Sequence, residues 1–274
     1  MTEAGDVRGP AMRPLAAMPA AARRDIRGVL TDLDDTLSTH GRLTAGAYAA
    51  MERLREAGRL VIPITGRPAG WCDHIARMWP VDAVVGENGA LYMRYDAAAR
   101  RLVRRFVDDE PTRRANRARL AAIGERILAT VPGCALASDQ SYRESDLAID
   151  FREDVPPLPR EAVDRIVALM QAEGMTAKVS SIHVNGWFGG YDKLSMTGTL
   201  LAEVFGIDLE AERERFVFAG DSPNDAPMFG FFPNAVGVAN VRGFADRIAI
   251  LPAYVTQGEA GAGFTELAEF LLRR

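Results

Sequence analysis

Five short apolar runs, at 28–33, 60–64, 83–85, 215–220 and 235–238, each break into a polar turn, and this repetition constrains the fold more than any other feature. Runs that stay apolar, without alternating, suit parallel strands covered on both faces. Between the first two runs, residues 44–58 carry helical periodicity. Tyr48, Met51 and Leu54 are predicted to share one face, with Gly58 as the stop signal. Buried strand followed by amphipathic helix, repeated, leads to an α/β fold: a doubly wound, Rossmann-like core of three layers. One residue conflicts with this reading. Pro63 falls inside the second run, where its missing N–H removes a ladder hydrogen bond.

The middle of the chain has a different rhythm. Residues 90–95 and 101–107 read as a hairpin around Asp96-Ala97-Ala98-Ala99, and a helix follows over 112–130. Strands are then expected near 134–138 and 146–151, a helix over 160–173, and strands near 175–181 and 183–188. Pro156, Pro157 and Pro159 lead into that second helix. The order ββαββαββ suits an α+β module with an antiparallel sheet, inserted into the core. The expected organisation is a flexible leader over 1–25, a catalytic core over 26–87 and 190–274, and a cap over 88–189.

Composition narrows the function classes. The chain has 274 residues, is 48% hydrophobic and carries a formal net charge of -4, which argues against nucleic acid as its main partner. Two cysteines without C-x-x-C spacing make a disulfide framework unexpected and a reducing cytoplasm the expected location. No window approaches the ~18 apolar residues of a membrane span. In the first 25 residues, Arg8, Arg13, Arg23 and Arg24 interrupt any apolar stretch, and Glu3 and Asp6 count against a transit peptide. The arginines from Arg100 to Arg119 are interleaved with Asp108, Asp109 and Glu110, which favours a solvated face over a binding patch.

Four clusters carry chemistry. Asp32 and Asp34 follow the first run and share one side of an extended chain, since residues i and i+2 point the same way. Carboxylates that close repel, and they persist where a cation or a proton transfer needs them. Thr65-Gly66-Arg67-Pro68 follows the second run, where a hydroxyl and backbone N–H groups entering a helix form a natural phosphate cradle. Lys193, one of only two lysines in the chain, opens a helix after Gly189-Gly190. A fixed ammonium there can offset charge on a nucleophile and a phosphate. Gly220-Asp221-Ser222-Pro223-Asn224-Asp225 ends the fourth run. Each string alone also fits an ordinary cap or turn.

Taken in order, Asp32-Leu33-Asp34-Asp35-Thr36, Thr65-Gly66-Arg67, Lys193 and the G-D-x-x-N-D string resemble motifs I to IV of the haloacid dehalogenase-like hydrolases. The resemblance runs from about residue 26 to the end, including Gly237-Val238-Ala239-Asn240 and Gly261-Ala262-Gly263-Phe264. The placement and order of the inserted module resemble the class IIB cap of Cof-type, sucrose-phosphate and mannosyl-3-phosphoglycerate phosphatases. The resemblance implies that Asp32 attacks phosphorus and Asp34 serves as acid and base. Thr65 would bond the phosphoryl group and Lys193 would balance charge. Asp32, Asp34 and Asp221 would hold Mg²⁺, with Asn224 and Asp225 in support.

It further implies a small phosphorylated substrate, a sugar phosphate; from charge and hydropathy no nucleic acid or membrane partner is expected, and the chain is expected as a monomer or homodimer. Gly66, Arg67, Asn88, His183 and Asn185 are the candidate substrate contacts. Ser181, His183 and Asn185 alternate with Ile182 and Val184, which fits a sheet face turned either to a cavity or to solvent. A phosphomutase of the same fold, or a sugar-phosphate-binding protein without turnover, are the alternatives. Dehalogenation would have no use for a second acid such as Asp34.

Overall fold

The computed structural model describes residues 12–273. Along the chain it forms β1 (Arg13–Pro14), α1 (Ala20–Asp25), β2 (Gly28–Thr31), α2 (Ala45–Glu56), β3 (Leu60–Pro63), α3 (Ala69–Met78), β4 (Val84–Gly86), β5 (Leu91–Asp96) and β6 (Arg101–Phe106). There follow α4 (Glu110–Thr130), β7 (Ala135–Leu136), β8 (Asp146–Asp150), α5 (Arg160–Ala172), β9 (Thr176–Val179), β10 (His183–Trp187) and α6 (Lys193–Phe205). The chain ends with α7 (Leu209–Glu212), β11 (Phe216–Gly220), α8 (Ala226–Phe231), β12 (Val236–Gly237), β13 (Tyr254–Val255) and α9 (Ala260–Leu272). The result is a mixed α/β fold with a parallel core sheet and two antiparallel sheets.

Among the described residues two compact units emerge, 12–60 with 212–273, and 61–211. Residues 61–87 and 190–211, placed with the catalytic core from sequence, therefore belong to the unit that contains the expected cap. Within that unit α3 packs on β4 and β5, and α6 packs on β4 and β5.

The first unit is built on parallel strands in the order β1-β13-β12-β11-β2. Val29 and Leu30 of β2, and Val217 and Phe218 of β11, are fully buried, as apolar runs covered on both faces should be. Gly28 is required by the register: a Cβ there would come within 2.5 Å of the Phe216 ring. α2 starts where Thr44 accepts a hydrogen bond from the N–H of Ala47, and Gly58 follows its end at φ +76°. Its buried stripe is Ala47, Ala50, Met51 and Leu54. Tyr48 is 36% exposed, contrary to expectation, because it stands one residue off that i, i+3, i+4, i+7 stripe.

The expected flexible leader is also corrected over residues 12–25. Arg13 and Pro14 pair with Tyr254 and Val255, Leu15 and Met18 are buried, and the Arg13 guanidinium stacks on Tyr254. Residues 1–11 lie outside the described residues.

In the second unit, β4 bridges Ile64 on its parallel side and pairs antiparallel with β5, which pairs with β6. The hairpin expected at the start of the cap therefore continues a sheet begun by β4. It does not join the four-stranded sheet β7-β8-β10-β9. Element order cannot reveal this, because strand partners are chosen by register and shape. Pro63 closes β3, a terminal position that spares the strand interior its missing N–H.

One face of the four-stranded sheet, with Leu147, Ile149 and Val184, packs against Leu120, Ile123 and Ile127 of α4 and Val163, Ile166 and Met170 of α5. The other face carries Asp146, Asp150, His183 and Asn185, all buried. Surface arginines of this unit are engaged locally: Arg104 with Asp73, and Arg117 with Glu110 and Glu144. No helix among the described residues is long and apolar enough to cross a membrane.

Candidate active site

In the first unit the catalytic candidates gather where β2 and β11 end side by side. The register pairs Ala219 with Thr31, and the N–H of Asp32 donates to Ala219 O at 2.8 Å. Asp32 and Asp221, far apart in sequence, thus leave adjacent strand tips, the edge where open α/β sheets bind ligands. One carboxylate oxygen each from Asp32, Asp221 and Asp225 lies within 4.8 Å of the others, and all three residues are buried.

The surrounding loop is shaped to keep them there. Thr36 Oγ1 donates to Asp221 Oδ1 at 3.3 Å, and Asn240 Nδ2 donates to Asp221 Oδ2 at 3.1 Å and to Asp35 O at 2.9 Å. Asp225 Oδ2 accepts from the N–H groups of Asp221 and Ser222, closing the turn after β11. Gly220 permits that closure, since a Cβ there would sit 2.6 Å from Asp225 Oδ2. Asp35 adopts φ 55°, a left-handed backbone that turns the chain sharply after Asp34.

This donor set fits a hard divalent cation. Ligand oxygens around a six-coordinate Mg²⁺ at about 2.1 Å are spaced about 3–4 Å apart, within the 4.8 Å limit that the three carboxylates meet. Without a cation, three buried carboxylates so close would repel strongly. Asp34 is half-buried and is not one of the three. Asp225, expected only in support, supplies the third carboxylate. Asn224, through its Oδ1, accepts from Ser222 Oγ at 2.6 Å, steadying the turn. Asn240 was not singled out as a site residue from sequence, because a lone Asn in a loop carries no signal of its own.

The other candidates lie in the second unit. Thr65 is fully buried beyond the end of β3, and its Oγ1 accepts from the N–H of Arg67 at 2.9 Å. Lys193 is the first residue of α6 and is buried, behind an N-terminal box in which Asp192 caps Ser195 N–H and Ser195 caps Asp192 N–H. Gly89, at φ +105°, lets the chain pass directly against Asp192 and Lys193.

Arg67, Asn88, His183 and Asn185, proposed separately as substrate contacts, prove to be parts of one buried polar network. The Arg67 guanidinium stacks on Trp71 and pairs with Asp139 at 3.2 Å and with Glu153. His183 Nε2 lies 2.9 Å from Glu153 Oε2. Asn185 Nδ2 donates to Asp146 Oδ2 at 3.1 Å, and Asn88 Nδ2 is 3.5 Å from the same oxygen. The solvent-facing alternative for this strand face is excluded by burial: His183 and Asn185 are each 3% exposed.

Asp139, Arg143, Asp146 and Glu153 complete the network and were not legible from sequence, since charged residues in loops or at a strand end read as solvated. Burial alone would raise the Glu153 carboxyl, but the neighbouring His183 and Arg67 bring it down to about 2. Burial opposes the Arg143 charge, yet Asp146 and Asp139 overcome it and hold the guanidinium ionised. Glu87 accepts from the N–H groups of Ala69, Glu144 and Ser145. Burial and Asp146 nonetheless push its carboxyl up to about 8.

Comparison with known proteins bears on the fold. Residues 29–113 match the family model of the haloacid dehalogenase-like hydrolases. No curated protein matches the sequence. Among solved structures, a Thermoplasma acidophilum protein superposes with a TM-score of 0.67 at 17% identity, covering 90% of this chain and 98% of its own. The sucrose-phosphatase of Synechocystis sp. PCC6803, solved with sucrose and phosphate, gives 0.60 at 16% identity, covering 90% and 98%. A phosphatase from Bacteroides thetaiotaomicron gives 0.56 at 18% identity, covering 92% and 97%. Identities this low establish shared architecture only. Over residues 29–113 the chain matches the haloacid dehalogenase-like hydrolase family model, and over nine-tenths of its length it shares the fold of these structures.

Proposed function

We propose that the protein is a Mg²⁺-dependent phosphatase that hydrolyses a small phosphorylated metabolite, a sugar phosphate, through an aspartyl-phosphate intermediate. The observation that carries this reading is the buried carboxylate cluster of Asp32, Asp221 and Asp225 at adjacent tips of a parallel sheet. In this reading one Asp32 oxygen attacks phosphorus, and Asp34 donates a proton to the departing alkoxide oxygen. Asp34, now a carboxylate, then takes a proton from water, which attacks phosphorus and releases phosphate from Asp32. A divalent cation held by Asp32, Asp221 and Asp225 would offset the negative charge that a carboxylate meets on approaching a phosphate dianion.

Thr65 and Lys193 keep the roles that the family resemblance gives them, phosphoryl binding and charge balance. The sugar-phosphate assignment rests on the neutral amide groups and the excess of carboxylates over guanidinium groups in the buried network, which suit hydroxyls better than a second anionic group. The test is phosphate release from a panel of phosphorylated metabolites with Mg²⁺. Asp32→Asn should lower kcat by about 10⁴-fold or more while the circular dichroism spectrum stays that of the folded protein. Turnover that survives in Asp32→Asn would refute the mechanism.

A further inference from the structure

The turn Thr65-Gly66-Arg67 is held by its carbonyls, and each has a different partner. Thr65 O accepts from the N–H of Asn88 at 3.1 Å, and Arg67 O accepts from the N–H of Glu87 at 3.1 Å. The middle carbonyl, Gly66 O, accepts from Arg143 Nη1 at 2.8 Å, 77 residues along the chain. A peptide unit is planar and trans, so fixing a carbonyl also fixes the direction of the N–H that follows it. Holding Gly66 O therefore aims the N–H of Arg67, and that N–H donates to Thr65 Oγ1. With its oxygen accepting there, the Thr65 hydroxyl is oriented to donate its own proton elsewhere.

Arg143 is otherwise paired locally. Its Nε and Nη2 reach Asp139 Oδ1 at 3.3 and 3.1 Å, and its Nη1 reaches Asp146 Oδ1 at 2.9 Å, residues four before and three after it. Its side chain is fully buried, as is that of Asp146. Burying a guanidinium with its carboxylates adds little net stability compared with apolar packing. A stability role therefore leaves unexplained why a buried arginine stands here. The long-range contact to Gly66 O explains it.

The geometry points to Arg143 as a positioning residue that, held between Asp139 and Asp146, sets the Thr65-Gly66-Arg67 turn in the shape needed to bind a phosphoryl group. This rests on the phosphatase reading above, in which that turn contacts the transferring group. Arg143 itself does not touch substrate in this assignment. Its effect passes through the Gly66 carbonyl to the Thr65 hydroxyl.

The test is a double-mutant cycle between Arg143→Lys and Thr65→Ala, read as steady-state phosphate release from the full chain with Mg²⁺. A lysine keeps the charge but cannot hold Asp139, Asp146 and Gly66 O together. Arg143→Lys should lower kcat about tenfold and leave KM within about twofold, the pattern of an interaction used in the transition state. In the Thr65→Ala background the same substitution should cost less than about twofold, because its route of action is gone. A wild-type kcat in Arg143→Lys, or the same fold-loss in both backgrounds, would overturn the assignment.

If Arg143→Lys does not fold, Asp139→Asn carries the same cycle. It removes one anchoring charge at constant shape, with an expected loss of about two- to threefold that also vanishes without Thr65. Asp32→Asn serves as the separate check. An active Asp32→Asn rejects the phosphatase mechanism and this assignment with it. An inactive Asp32→Asn alongside independent Arg143 and Thr65 effects rejects the positioning role alone.

Discussion

Gly89→Ala should both destabilise the protein and impair turnover, and the structure sets the size of the effect. Gly89 stands at φ +105°, after Glu87 at 46° and Asn88 at 54°, three successive residues with positive φ. A Cβ built there would lie 2.0 Å from Asp192 O, 2.3 Å from Asp192 C and 2.9 Å from Lys193 N. All three are backbone atoms, so no rotamer change relieves the clash. Asp192 O also accepts the N–H of Met196 in the first turn of α6, so moving it disturbs the helix start that carries Lys193.

Backbone strain of this kind costs about 1–3 kcal/mol, and forcing an atom into a packed site costs about 1–3 kcal/mol more. The expected loss is therefore about 2–6 kcal/mol. Urea unfolding followed by circular dichroism would show it: at a slope of about 3 kcal/mol/M, the midpoint falls by roughly 1 M. Turnover, measured well below the new midpoint, should also fall, since Lys193 begins the displaced helix. A variant within about 0.5 kcal/mol of wild type would refute the close approach of Gly89 to Asp192.

Mg²⁺ should raise the melting temperature by relieving repulsion among Asp32, Asp221 and Asp225. At about 100 times its dissociation constant the gain is about 2.7 kcal/mol, and Asp221→Asn should lose most of it. Chelation should abolish phosphate release, with Mg²⁺ restoring it; equal melting temperatures with and without the ion would count against the site. Glu153→Gln should lower stability at neutral pH. The folded-state carboxyl sits near about 2, below its unfolded value, so its contribution is present above about pH 4.5 and lost as the pH falls through about 2. The full linkage is about 3 kcal/mol, but the side chain is 24% exposed, and solvent screening reduces this to about 1–2 kcal/mol. Melting curves of wild type and Glu153→Gln should converge between pH 4.5 and 2, and a gap that persists there would refute the ion-pair account.

Hydrophobic run length and turn chemistry, both local properties, were enough to locate five strands and several of the helices. β2, β3, β4, β11 and β12 fall on the five apolar runs, and α4 and α5 begin within two residues of their expected starts. Asp32 and the G-D-x-x-N-D string marked where carboxylates leave the strand tips for the same reason. Each needs only an apolar strand followed by a particular turn.

What the sequence could not decide is which strand lies beside which, and whether a charged residue faces water or protein. The hairpin β5-β6 joined β4, Tyr48 turned outward, and residues 13–14 became an edge strand instead of a leader. Asp225 entered the carboxylate cluster because the turn after β11 folds back on Gly220. Arg143 became a buried hub only because a segment 77 residues away brought the Gly66 carbonyl to it. Periodicity records how a residue relates to its near neighbours. Contacts between distant segments depend on register and packing, which the tertiary structure alone fixes.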